Sequence, residues 1–442
     1  MRIRLIGRGH IPPPGVDTPS ASPGPAATPI DHTFRGALLT FRDVPIMPYT
    51  ALLEPGPAGL IFHQGGPLWP DWERQTVARF RHTGRPVDLP PDSAPIEDAI
   101  DGTIAWGGPI CPHFGHQIAD FSTRLLPTLD QWPEATFAFA GGPRARIEEP
   151  MQAPRFFREI LGWYGIPLDR VRIITRPTLA RSLLVAPQAE IQGIAEVAPR
   201  HLDMLDAISE RHLGRQKHQG TVYVSRAGQT VRFAGEGELE VALSRAGVTT
   251  IRPESFPLRE QLETYASADR LLFAEGSALH ALQLLGRGIG EVHVLRRRPA
   301  SIYGMRLSFL EPRARQVVIH DHQPVLIHAL RPSGRPLHAK GMTVLDEGRL
   351  LAGFDDLGIP LRRHWSSSRY RAACESDLRQ WLGHTCTPEQ LSIPGSADSI
   401  RASLDASGFG NLRSVVDSMV VPRPKQPPPG FWQRAGAWLK RS

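Results

Sequence analysis

The sequence predicts an α/β protein of two lobes, and three observations lead to that reading. The chain runs to 442 residues, whereas single hydrophobic cores stop growing near ~250–300 residues. Its balance of 41% hydrophobic and 21% charged residues is that of an ordinary globular protein. From residue 136 onward, short apolar runs alternate with amphipathic stretches of helical length.

Taken in order, Thr136–Ala140 reads as a strand, closed by a Gly-Gly-Pro turn. Met151–Tyr164 reads as a helix, because Phe156, Phe157, Ile160, Leu161 and Tyr164 recur at helical spacing. Val171–Thr175 and Ser182–Ala186 are strand-like, and a polar amphipathic helix, Arg200–Lys217, marks the link between lobes. The second half is more regular. Strands are expected at Thr221–Ser225, Thr249–Arg252, Asp269–Ala274 and Glu291–Leu295, with helices at Gly237–Ala246, Pro257–Ala266 and Ala278–Leu285. Gly247 is placed to end the first of those helices. Such alternation argues for a parallel sheet covered on both faces. Residues 330–421 are less regular, with helices at Tyr370–Leu382 and Ser399–Ala406 and no legible role.

Residues 11–29 hold seven prolines among Gly, Ser, Thr and Ala, and residues 422–430 form a second Pro-rich stretch. Such composition reads as extended, unpacked chain. The expected division is a flexible Pro-rich leader over 1–34, an N-terminal lobe over 35–198 and a C-terminal lobe over 199–329. An extension over 330–421 and a linker with a basic aromatic tail over 422–442 complete it. The tail sets Phe431, Trp432, Trp438 and Leu439 among Arg434, Lys440 and Arg441. A frayed end or a docked helix is its plainer reading, and peripheral contact with a membrane is the other.

No apolar run nears the ~20 residues that span a bilayer. Nor does a continuous apolar stretch follow Arg2, Arg4 and Arg8, as a secretory signal requires. A cytoplasmic protein is expected. Cys111, Cys374 and Cys386 offer neither a disulfide framework nor paired zinc-ligand spacing, and read as small buried hydrophobes. The net charge is +7, yet the 51 basic residues, only four of them lysine, are spread along the chain. That scatter disfavours nucleic acid as a partner; an anionic substrate or an anionic membrane surface suits the modest basicity.

Two strand ends carry the chemistry. The first ends in Ser225 and Arg226, with Arg232 six residues on. A hydroxyl and cations therefore arrive at the carboxyl edge of a parallel sheet, where open α/β sheets bind ligands. The second ends in Glu275, Gly276 and Ser277 before an apolar helix. Such a helix start offers N–H groups and a positive dipole to a phosphate, with Gly276 permitting close approach and Ser277 as the cap. Taken singly, each is also what a surface turn or an ordinary cap looks like. Upstream, Gly107 and Gly108 precede His116, Asp120 and Arg124, whose i, i+4, i+8 spacing shares one helix face. A His beside a carboxylate suits a general base, with Asp120 orienting the His116 ring. The plainer alternative is a capped helix with an Asp120–Arg124 ion pair on its surface.

In order and spacing these segments resemble glycosyltransferase family 61. The resemblance runs over roughly residues 110–300 and is densest over 221–286. It rests on Tyr223–Arg226 with Arg232, the acidic helix start Glu236–Leu239, Pro257–Asp269, Phe273–His280, and the His116, Asp120, Arg124 segment. It departs at Gly235, where many members have Asn, and over Phe273–Gly276, where eukaryotic members carry Gly-Pro-His-Gly. His280, one turn on, is placed to supply an imidazole instead.

The resemblance implies two Rossmann-like lobes in a GT-B arrangement, donor in the C-terminal lobe and acceptor entering from the N-terminal one. It implies an inverting, metal-independent transferase that moves a sugar from a nucleotide-diphosphate donor, a UDP-sugar, to a hydroxyl. The acceptor would be a glycan or lipid-linked molecule in bacterial surface polysaccharide synthesis. Ser225, Arg226, Arg232, Glu275, Gly276, Ser277 and His280 would bind the donor, the arginines neutralising the departing diphosphate and Glu275 or His280 touching ribose or base. His116 or Asp120 would activate the acceptor. No metal and no cofactor is expected. The core has no Asp-x-Asp triad, and Asp355-Asp356 reads as a surface turn. There is also no Gly-rich Lys-Ser/Thr phosphate loop and no Gly-x-Ser-x-Gly elbow. The altered Asn and His positions leave open a catalytically silent relative, acting as a carbohydrate-binding or assembly subunit.

Overall fold

The computed structural model describes residues 4–6, 38–55, 61–82, 85–143, 146–191, 197–298, 307–321 and 325–420. Six parallel strands form one sheet, in the order Arg4–Ile6, Ala314–His320, Ile289–Leu295, Arg270–Ala274, Thr221–Val224, Thr249–Ile251. Val222, Val224, Leu271, Phe273, Val292 and Val294 enter one apolar core, and Tyr223, Leu272, Ala274 and Leu295 another. That period of two puts successive residues on opposite faces, and both faces are covered, as parallel sheets require. Helix Glu236–Arg245 covers one face through Leu239, Ala242 and Leu243. Helix Leu258–Ser267 covers the other through Leu258, Leu262 and Tyr265. Right-handed crossovers that first step outward and then reverse direction place the two helices on opposite faces. Gly247, at φ +83°, ends the first helix with its N–H on the Ser244 carbonyl at 3.1 Å. The α-helix expected at Ala278–Leu285 is instead a tighter 3₁₀ run, Ser277–Leu284, with everything from Leu279 onward buried. Packing on all sides overrides local preference there.

The N-terminal half, where a second Rossmann-like lobe was expected, carries a mixed sheet rather than a purely parallel one. Among the described residues its main sheet has seven strands, in the order Asp88–Leu89, Ile61–Pro67, Leu39–Pro55, Thr178–Val185, Asp98–Ile110, Phe137–Gly141, Val171–Ile174. Leu39–Pro55 runs antiparallel to both neighbours while the other pairs are parallel, so the sheet is mixed. The longest strand is hard to read from sequence because Pro45 and Pro48 interrupt it, and proline normally argues against a strand. The ladder absorbs them with register shifts on either side of Ala51. Gly107 and Gly108, upstream of His116, belong to strand Asp98–Ile110. A Cβ on Gly107 would stand 2.4 Å from the Phe139 ring.

The two sheets share one apolar core, in which Phe137, Phe139 and Phe157 meet Leu205, Leu262 and Phe273. Helices Arg155–Trp163 and Pro199–Leu213 supply the bridging side chains. The Trp163 Nε1–H donates to the Leu284 carbonyl at 2.9 Å. The Arg313 guanidinium grips the Glu190 carboxylate with two bonds, 2.7 and 3.1 Å, both side chains fully buried.

The extension has a core of its own. Strands Val325–Ile327 and Met342–Val344 pair antiparallel; helix Glu347–Asp356 packs Leu350, Leu351 and Phe354 into the core over the parallel sheet, while helices Ser367–Thr385 and Ser396–Ala406 gather Tyr370, Trp381, Leu382, Ile400 and Leu404. Asp355 and Asp356 close the first of these helices, where a surface turn was expected. Within the leader expected over 1–34, Arg4–Ile6 is an edge strand of the parallel sheet. Residues 7–34 and the linker and tail over 422–442 lie outside the described residues. All three cysteines are buried and unpaired. Burial pushes Cys111 and Cys374 up to about 12 and Cys386 to about 11, so they remain thiols. Among the described residues no helix is long and apolar enough to cross a membrane.

Candidate functional site

The parallel sheet reverses its winding between Thr221–Val224 and Arg270–Ala274: the chain leaves the first for Thr249–Ile251 on one side and returns to the second on the other. The crevice beyond the carboxyl ends of such a pair is where doubly wound sheets bind ligands. Ser225 and Arg226 leave one strand there, and Glu275, Gly276 and Ser277 the other.

Glu236, the first residue of helix Glu236–Arg245, organises the first strand end. One carboxylate oxygen accepts from the Tyr223 hydroxyl (2.9 Å), the Ser225 hydroxyl (3.2 Å) and the Arg226 N–H (2.7 Å), and the other accepts from the Phe233 N–H (3.2 Å). Burial raises its pKa even against those donors. Ser225 accepts in turn from the Ala227 N–H at 3.0 Å. Arg226 is largely buried, which lowers its pKa, and its Nε and Nη2 donate to the Val231 carbonyl at 3.2 and 3.0 Å. Its Nη1 makes no hydrogen bond to the described residues and lies over Gly276, where a Cβ would come within 2.0 Å of it. Gly276 is needed to admit this guanidinium. Ser277, expected as a cap, makes no side-chain cap bond; Gly276 holds the cap position of the short run that follows.

At the second strand end the buried Glu275 accepts from the N–H groups of Arg297 (2.8 Å) and Arg298 (3.0 Å) and from Arg298 Nη2 (2.9 Å). Burial pulls its carboxyl upward, but Arg298 and Arg297 outweigh that and hold it below the usual value. Burial first, then Arg298 and Arg226, push Arg297 down to about 9, still protonated at neutral pH. Three guanidiniums thus crowd one edge against two carboxylates. Arg297 and Arg298 escaped the sequence reading, although the signal was there: an Arg-Arg-Arg run directly follows strand Ile289–Leu295.

The opposite wall begins at Phe114–His116 and continues through Gln117–Phe121, wound with five residues per hydrogen-bonded turn. The Ser122 N–H accordingly meets the Gln117 carbonyl at 2.8 Å. Such π turns are rare and gather at functional sites. His116 Nδ1 lies 2.6 Å from Asp120 Oδ2. Against an ionised carboxylate Nδ1 carries the hydrogen, which leaves Nε2 as a base. The His116 side chain keeps 22% of its surface accessible, Asp120 only 7%. Arg124 does not join Asp120 in the surface pair weighed above. The wider turn carries it inward, where Nη1 reaches the Ala78 carbonyl (3.1 Å) and the guanidinium lies 4.0 Å from the Phe80 ring centre.

His113, which the sequence reading also passed over, caps this segment: its Nδ1 accepts from the His116 N–H at 3.4 Å, and the two rings are 4.8 Å apart. Its Nε2 therefore bears the hydrogen. Although His113 is exposed, crowding protein atoms desolvate it, and with His116, His280 and Arg226 they hold its pKa well below the usual imidazole value. The two walls touch at Gly115, where a Cβ would stand 2.8 Å from the His280 ring and 3.1 Å from Ser277 Cβ. His280 is buried, with Nδ1 2.6 Å from Gln283 Oε1 and its ring stacked on Phe309. Arg232 engages the distant extension: Nη2 meets Asp377 Oδ1 (2.8 Å) and Gln380 Oε1 (3.2 Å), and Nη1 the Gln229 carbonyl (2.7 Å).

Guanidiniums on one wall and a carboxylate-backed imidazole on the other equip the crevice for group transfer: an anion is held while a hydroxyl loses its proton. Residues 114–289 match the family model described as Glycosyltransferase 61. The protein is a glycosyltransferase, and as such it binds a sugar donor and an acceptor. The matched span contains His116, Asp120, Arg226 and Gly276, while Arg297, Arg298 and Asp377 lie beyond it. No curated protein matches the chain.

Proposed function

We propose that the protein is an inverting glycosyltransferase that takes a sugar from a nucleotide-diphosphate donor, a UDP-sugar, and passes it to a hydroxyl acceptor. The observation that carries this reading is the Arg226 Nη1 group, held over Gly276 at the switch point of the parallel sheet. Arg226, with Arg297 and Arg298 behind it, meets the diphosphate, whose negative charge grows as its bond to the anomeric carbon breaks. His116 Nε2 takes the acceptor proton, and Asp120 stabilises the imidazolium that forms. The acceptor oxygen attacks the anomeric carbon from the face opposite the departing diphosphate, so the configuration inverts. Arginines supply the positive charge in this scheme, and we assign no step to a metal ion.

Ser225, Glu275 and Arg232 serve in this scheme chiefly by fixing the loops that carry Arg226 and Arg298, while Ser277 and His280 line the seam between the walls. The two sheets are read as donor and acceptor lobes of a GT-B-type enzyme; the switch-point crevice supports the donor assignment. A glycan or lipid-linked acceptor, a role in bacterial surface polysaccharide synthesis and a place at the inner face of the membrane rest on the family match and the basic aromatic tail.

Calorimetric titration of the protein with UDP and several UDP-sugars, beside Arg226→Ala, tests the proposal. Saturable binding that Arg226→Ala abolishes is expected. A folded protein that binds no nucleotide would sink this reading of the crevice.

A further inference from the structure

We infer that Asp377, in the extension beyond the matched span, is a positioning residue that clamps the loop carrying Arg226. The inference rests on the donor site proposed above. Residues 225–235 link strand Thr221–Val224 to helix Glu236–Arg245, and the Arg226 guanidinium hangs on the Val231 carbonyl within that loop. Asp377, on helix Ser367–Thr385, grips Arg232 and Gly235 just beyond Val231. Its Oδ1 accepts from Arg232 Nη2 at 2.8 Å and its Oδ2 from the Gly235 N–H at 2.9 Å. One carboxylate therefore fixes both ends of the tetrapeptide 232–235, directly after the residue that holds Arg226.

The surroundings suit a rigid seat. Gly235, at φ +73°, has no room for a side chain: a Cβ would meet the Tyr370 ring at 2.7 Å and Cys374 Sγ at 2.8 Å, both on the same helix as Asp377. The Ala234 N–H bonds to the Thr343 carbonyl at 2.9 Å, and the Thr343 hydroxyl donates to the Arg297 carbonyl. The extension thus touches both cationic strand ends. The Arg232–Asp377 pair is mostly shielded, with side-chain accessibilities of 12% and 20%, so it is screened less than an open surface pair.

The test compares wild type with Asp377→Asn, which keeps the shape but has one acceptor oxygen for two donors. Glu375→Ala on the same helix is the control, since its partners Arg379 and Asn411 lie away from the loop. Hydrogen exchange reads the clamp directly: Asp377→Asn should lose protection across 226–235 while Glu375→Ala should not. UDP affinity, by calorimetry, should fall about tenfold in Asp377→Asn, equivalent to ~1.4 kcal/mol. The losses in Asp377→Asn and Arg232→Ala should sum to more than the loss in the double variant, because the two changes share the Arg232–Asp377 link. Unchanged protection in Asp377→Asn overturns the clamp whether or not nucleotide binds. Lost protection with unchanged UDP affinity overturns its role in positioning Arg226. Lost protection in a protein whose wild type binds no UDP supports the clamp and overturns the donor-site reading instead.

Discussion

Replacing Gly276 by alanine adds one methyl group and aims it at the guanidinium proposed to hold the donor. The new Cβ would lie 2.0 Å from Arg226 Nη1, 2.8 Å from Cζ and 2.9 Å from Cδ. Unstrained contact between such atoms needs about 3.5 Å, so the guanidinium must retreat by roughly 1.5 Å. The backbone at Gly276 is extended, so the substitution strains no dihedral. Arg226 is the flexible partner and gives way, weakening its two bonds to the Val231 carbonyl at 3.2 and 3.0 Å. A misplaced charge-assisted contact costs about 1.5–3 kcal/mol, or roughly 10- to 150-fold in UDP affinity. The assay is calorimetric titration with UDP of four proteins: wild type, Gly276→Ala, Arg226→Ala and the double variant. With Arg226 already truncated there is nothing left to clash with, so adding Gly276→Ala should change affinity little. Additive losses would refute the reasoning, because the methyl group would then be acting on the ligand itself. Full affinity in Gly276→Ala would refute it more directly, since the displaced guanidinium would not be the anion contact.

Four further variants test other parts of the molecule. His116→Ala should lower kcat by about 10²–10⁴ with little effect on UDP affinity, and Asp120→Asn should lower it as well by disturbing the His116 tautomer; steady-state kinetics beside UDP titration checks both. Glu190→Ala leaves the fully buried Arg313 without its carboxylate, and denaturant unfolding should show a loss of about 3–5 kcal/mol. His201 is buried in helix Pro199–Leu213, and desolvation first, then Arg313, push its pKa down to about 3. Between that value and an unfolded pKa of ~6.5 only the unfolded chain binds the proton. Stability should therefore be complete above pH ~6.5 and fall as the pH drops through this window. The contribution has a ceiling of about 4–5 kcal/mol at ~1.4 kcal/mol per unit. Thermal midpoints against pH should flatten in His201→Gln.

The second half of the chain was legible because local signals agreed there. Strands such as Thr221–Val224 and Arg270–Ala274 are short apolar runs bounded by turn residues, and parallel strands buried on both faces produce that pattern. The Ser225–Arg226 and Glu275–Gly276 strand ends were visible for the same reason. In the first half, long strands carrying Pro45, Pro48, Gly107 and Gly108 hid among turn signals. Their pairing is sustained by bulges and by neighbours far away in the chain, which a short window of sequence does not register.

The sequence by itself determined the α/β alternation, the apolar faces, the buried cysteines and the residue types gathered at two strand ends. Those follow from side-chain periodicity and hydrophobicity, which are local properties. The tertiary structure decided which of those residues face one another. It turned Arg124 inward, set His113 beside His116, spent Ser225 and Glu275 on hydrogen bonds within the loops and brought Arg297 and Arg298 behind Arg226. It also set Asp377 against Arg232, 145 residues away. A side chain's partner depends on how helices and strands pack in three dimensions, and packing is a property of the whole chain.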